Sequence, residues 1–122
     1  MELQQIFDKV SNHLLTQNRH SRNMFDLCVF HSNDGTKCAI GCLIPESAYH
    51  PMFELRAFDG EDDRIRKALI PVIGEITVDK MQLLDGLQYL HDSHLPEEWT
   101  KALQNLAIRE GLTFTKIIKE VL

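Results

Sequence analysis

"DLCVFHSNDGTKCAIG", residues 26–41, decides whether this chain is purely helical or a helical domain with a small sheet. Two short runs of strand-forming residues flank Ser32-Asn33-Asp34-Gly35, a turn sequence able to supply the positive backbone angles of a tight hairpin. The reading is a β-hairpin with strands near 27–31 and 37–41. If Asn33, Asp34 and Gly35 form a three-residue loop, Phe30 faces Cys38 and Cys28 faces Ile40. Cys28 and Cys38 then lie diagonally on one face, roughly 7–8 Å apart, near but outside good disulfide geometry.

On either side of this segment the apolar residues recur at helical spacing. Leu3, Ile6, Phe7, Val10, Leu14 and Leu15 predict an amphipathic helix over residues 2 to about 16. The following "TQNRHSRN" is polar and reads as a loop. Pro45 and Pro51 bracket a single short turn, "PESAYH". Asp62 or Asp63 opens a helix through Arg64, Ile65, Ala68 and Leu69, which Pro71 and Gly74 must kink or stop. Thr77 caps a long helix carrying Met81, Leu84 and Leu87 to about His91. Pro96, Glu97 and Glu98 start another, lined by Trp99, Leu103, Leu106 and Ala107 and closed by Gly111. The tail reads as a last helix from about Thr113, with a strand as the alternative for its β-branched residues. The expected fold is therefore α+β, predominantly helical, with one small hairpin in a single domain over residues 1–122.

A chain of 122 residues is long enough to bury about two-thirds of the surface its unfolded form exposes, so it needs neither metal nor disulfide. Eighteen acidic against thirteen basic residues give a net charge of -5, the wrong sign for neutralising phosphates along a duplex. Generic nucleic-acid binding is disfavoured. No window approaches the roughly 18 apolar residues of a membrane span. The acidic, helix-patterned start "MELQQIFDKV" is unlike a secretory leader, so the expectation is a cytoplasmic protein whose three cysteines are reduced.

Several residues bear chemistry. Cys28, His31, Cys38, Cys42 and His50 are zinc-ligand types, with Cys28, Cys38 and Cys42 the core of such a set. Only Cys38-x3-Cys42 has ligand-like spacing, so no metal is expected and buried inert thiols are the simpler reading. A cysteine nucleophile, Cys38 or Cys28, would use His91 as base with Asp92 as orienter. Neighbours on a helix point about 100° apart, so Asp92 is not expected to orient His91. No glycine-rich phosphate loop occurs and no cofactor is implied. Arg19, His20 and Arg22 with Tyr49 would suit a captured nucleotide signal. Tyr49, His50, Met52, Phe53 and Phe58, set among prolines, suit a protein partner, although Phe53 and Phe58 fit the core better.

The stretch "KCAIGCLIPESAYHPMFE" with the later "LQYLHDSHLPEEWTKALQNLAIREGL" resembles a family of small uncharacterised bacteriophage and bacterial proteins. The first motif falls on Cys28, Phe30, Gly35, Lys37, Cys38, Ala39, Gly41, Ile44, Pro45, Tyr49, Pro51 and Glu54. The second falls on Leu87, Gln88, His91, Asp92 and Trp99. Cys42 stands where the pattern is open. The resemblance implies a phage or prophage accessory protein and raises the question whether Cys38, Glu54, His91 and Asp92 converge. The expectation is a non-enzymatic protein that binds and modulates a host protein, such as a defence component, through Tyr49, His50, Glu54, Arg19 and Arg22. A thiol-dependent hydrolase or transferase using Cys38 and His91, and a nucleotide-signal sponge, are the alternatives. Self-association into a homo-oligomer is left open.

Overall fold

Ile6, Phe7, Val10 and Leu14 fall on one face of a helix, and all four are completely buried in α1, Leu3–Gln17. The computed structural model describes residues 1–55 and 63–114. Phe58, the acidic run from Asp59 to Asp62 and the expected helix through Ile117, Ile118, Val121 and Leu122 lie outside the described residues. Three further α-helices follow: α2, Asp63–Ile73; α3, Val78–Ser93; and α4, Trp99–Glu110. Short 3-10 turns occupy Gly41–Leu43, Glu46–Ala48, Pro51–Leu55 and Pro96–Glu98. α1, α3 and α4 pack on one another, while α2 and α1 meet the turn at Gly41–Leu43.

The helix ends follow local chemistry. Gln5 Oε1 accepts the Glu2 N–H at 2.7 Å, and Asn18 closes α1 in the left-handed region at φ 52°. Thr77 Oγ1 accepts the Lys80 N–H at 3.2 Å, and Gly111 ends α4 at φ 70°. α2 runs through Pro71, which lies in its last turn, before Gly74 breaks it at φ 82°. Trp99 is fully buried where α4 begins, and its indole N–H donates to the His94 carbonyl at 3.2 Å.

The expected β-hairpin is not formed, and no strand occurs among the described residues. Residues 18–44 hold only two isolated antiparallel bridges, Arg22 with Cys28 and His31 with Lys37. The turn at 32–36 closes, with Gly35 N–H on Ser32 O and Cys38 N–H on Phe30 O, but the ladder goes no further. Cys28 therefore meets Arg22 instead of Ile40. It is exposed while Cys38 is buried, so the two thiols share no face.

The reason lies in where the backbone amides go. Phe30 N–H and His31 N–H donate to the Glu54 carboxylate at 2.8 and 3.0 Å. Lys37 N–H donates to Gln17 Oε1 at 2.9 Å, Ile40 N–H to Gln88 Oε1 at 3.1 Å, and Ser21 N–H to His91 Nε2 at 3.1 Å. Buried amides must be paired, but they need not be paired with another strand. Side chains from distant parts of the chain supply the acceptors, and the segment folds without a sheet.

Just beyond Cys38 the chain turns helically at Ile40, φ -72° and ψ -40°, which ends any extended pairing. Gly41 makes this turn possible. A Cβ there would sit 2.0 Å from the Phe30 carbonyl oxygen, inside the contact distance of any atom pair. No helix among the described residues is long and apolar enough to cross a membrane.

Candidate functional site

His91 lies on the inward face of α3 and is fully buried. A backbone N–H can only donate, so the Ser21 bond fixes Nε2 as the unprotonated nitrogen. The proton then sits on Nδ1 and is donated to Asp92 Oδ1 at 2.7 Å. Asp92 thus does orient His91, contrary to the expectation from helix geometry. The carboxylate is short enough to fold back along the helix surface, and Gln88 Nε2, one turn earlier, holds both its oxygens at 3.0 and 3.2 Å. Burial pushes the Asp92 carboxyl up, but the bonds from His91 and Gln88 outweigh it and the net value lies below the usual range.

Cys28 completes a surface-facing cluster. Its Sγ, a ring nitrogen of His91 and a carboxylate oxygen of Asp92 all lie within 4.8 Å of one another. The trio has the residue types of a nucleophilic triad or a metal site, but its hydrogen bonds suit neither role. Both ring nitrogens of His91 are committed, one as acceptor and one as donor, so the ring has no lone pair for the Cys28 proton. A metal on Nδ1 would leave the proton on Nε2, pointing at the Ser21 N–H, whereas metal-ligating histidines offer that N–H to an acceptor. Desolvation, followed by repulsion from Asp92, raises the Cys28 thiol above its ordinary value.

The other thiols are further from reaction. Burial pushes the Cys38 thiol far up, and its sulfur accepts the Gly41 N–H at 3.2 Å. Cys42, half-buried, is pushed up to about 12 by desolvation and donates to the Ala39 carbonyl. At neutral pH a thiol reagent is accordingly expected to label Cys28 alone, and slowly. Asp92→Asn should make that labelling severalfold faster, as followed by intact-mass spectrometry; an unchanged rate would remove Asp92 as the restraint.

The residues expected to bind a partner or nucleotide are separately engaged. The Tyr49 hydroxyl donates to Glu54 Oε2 at 2.6 Å, and its ring stacks on His31 at 4.2 Å between centroids. Desolvation and the adjoining Glu54 carboxylate raise the Tyr49 phenol. His50 is exposed, with Nδ1 accepting the Met52 N–H at 3.1 Å. Arg19 lies 3.8 Å from Asp34, and Arg22 lies 3.2 Å from Asp26. Glu54 gathers residues 30, 31 and 49, whereas His91 and Asp92 gather residues 21, 28 and 88. Cys38 packs into the core. His20 closes the box around His91, edge-on to both His91 and Trp99, with its Nε2–H on the His94 carbonyl at 2.7 Å. Burial lowers its imidazole below the ordinary value.

One surface escaped the sequence reading. Met24, Phe25 and Leu27 are 88, 74 and 61% exposed on the loop that the Arg22–Cys28 bridge closes. Asn23 fixes the loop from inside, its Oδ1 accepting the N–H groups of Phe25 and Leu27 at 2.9 and 3.1 Å. Asp26 adopts the left-handed region at φ 61°. The signal was a Met-Phe pair with no partners at helical or strand spacing, beside residues that favour turns. No family model, curated protein or solved structure matches the chain.

Proposed function

We propose that this is a non-enzymatic accessory protein of phage type that binds a host protein, such as a defence component, and modulates it through the loop at residues 22–28. The observation that carries the reading is the exposure of Met24, Phe25 and Leu27 on a loop whose backbone is already fixed. A contiguous apolar projection costs solubility unless it is used, and a pre-ordered loop loses little entropy on docking. The phage-type origin rests on the motif resemblance alone.

The binding surface moves accordingly from Tyr49 and His50 to the loop at residues 22–28. Tyr49 and Glu54 bond to each other and hold the backbone at residues 30 and 31, which supports a framework role. No observation favours the thiol enzyme, since Cys38 is buried and His91 is occupied at both nitrogens. Arg19 and Arg22 each lie against an aspartate and Tyr49 bonds to Glu54, so no observation favours the nucleotide sponge.

The double substitution Met24→Asp with Phe25→Asp tests the reading. Both side chains are exposed, so the thermal midpoint should stay within about 2 °C of the parent. Recovery of any specific host partner from lysate should fall by roughly tenfold or more, the usual weight of a central aromatic anchor. Retention of the same partners by the double variant would refute the assignment of this loop.

A further inference from the structure

A second histidine has the hydrogen bonding that His91 lacks. The His31 side chain is only 7% exposed, with one face covered by Tyr49, stacked within 14° of parallel. Its Nε2 lies 2.7 Å from the Gly41 carbonyl oxygen. A carbonyl only accepts, so Nε2 carries the proton and, in the neutral ring, Nδ1 presents a lone pair. That Nδ1 is buried and has no hydrogen-bond partner. It faces Glu46 Oε2 at 3.7 Å. In that neutral ring two acceptors confront each other with no donor between them, and a buried group left in this state calls for an ion or a water.

The surroundings favour an ion. Metal-ligating histidines usually donate their second ring N–H to a carbonyl or carboxylate, which fixes the tautomer and aims the lone pair. Here the Gly41 carbonyl does this, and residue 41 is itself clamped against Phe30. An imidazole nitrogen and a carboxylate oxygen, each about 2.0 Å from one tetrahedral ion, stand about 3.3 Å apart. The 3.7 Å found here differs by a few tenths, within the reach of Glu46, whose side chain is 75% exposed. Lys37 Nζ takes the other carboxylate oxygen at 3.1 Å, so Oε2 is left for the ion.

We propose that His31 Nδ1 and Glu46 Oε2 bind a first-row divalent transition-metal ion, with water filling the remaining positions. The imidazole coordinates as the Nε2-protonated tautomer that the Gly41 carbonyl selects. The site is independent of the loop at residues 22–28 and stands or falls separately from it.

Titration of the intact protein with zinc chloride by calorimetry provides the test, with histidine side-chain NMR reporting which ring responds. One saturable ion per chain is expected, with His31 Nδ1 as the nitrogen that shifts. His31→Gln and Glu46→Gln should each weaken binding by roughly tenfold or more, as loss of a ligand or its support does. Cys28→Ser should leave it unchanged. If His31→Gln does not fold, the exposed Glu46→Gln decides alone. Absence of saturable binding, or binding abolished by Cys28→Ser and kept by Glu46→Gln, would overturn the proposal.

Discussion

Gly41→Ala is expected to be the most damaging glycine-to-alanine change among the described residues. The added carbon would lie 2.0 Å from the Phe30 oxygen and 2.7 Å from its carbonyl carbon. Both are main-chain atoms, so no rotamer change relieves the overlap. Phe30 is held through its N–H to Glu54 and through its carbonyl from Cys38, and neither neighbour can move alone. Over-packing a tight core costs about 1–3 kcal/mol, and a clash between two backbone segments belongs at or above the top of that range. A loss of about 3 kcal/mol lowers the melting temperature by roughly 10 °C in a domain of this size. Calorimetric melting of the variant checks this, and a midpoint within about 2 °C of the parent would contradict the close approach.

Glu54→Ala should cost at least as much. The carboxylate accepts the Phe30 N–H, the His31 N–H and the Tyr49 hydroxyl, so its removal strands three donors together. Hydrogen bonds to a charged acceptor contribute about 1.5–3 kcal/mol each, and shared loss makes the sum less than additive. The expected cost is about 3–4 kcal/mol in urea unfolding. Glu54→Gln should recover part of it, because one oxygen still accepts while the amide group meets a donor. A double-mutant cycle with Tyr49→Phe isolates the hydroxyl's share. Near-equal stability of Glu54→Ala and the parent would mean that water replaces the carboxylate at no cost. The same variant should speed amide hydrogen exchange at Phe30 and His31 before that at Leu84 or Leu87 in α3.

Helices were legible because their signal is local. Ile6, Phe7, Val10 and Leu14 announce α1 by spacing, Thr77 announces the start of α3, and Gly111 the end of α4. The segment 26–41 misled for the complementary reason. Its composition suits strands, yet its amides are taken by Gln17, Glu54 and Gln88, and no periodicity reveals an acceptor many residues away. Asp92 was misjudged in a similar way. Ideal helix directions separate it from His91, but a carboxylate gripped by Gln88 can reach the adjacent ring. The Met24–Leu27 projection was overlooked because apolar residues without a period carry no structural message.

Gln88, His91 and Asp92 stand three and four positions apart on α3, so one helical face addresses three places along the irregular segment at once. The shape of residues 20–41 is therefore tied to the rotational phase of a helix far away in the chain. Inserting one residue between Leu84 and Gln88 would turn this face by about 100° and withdraw the acceptors for Ile40 and Ser21 together. Point changes at these positions subtract single contacts, whereas a length change rewrites all of them in one step. Drift in this protein should therefore tolerate substitution along α3 far better than insertion or deletion.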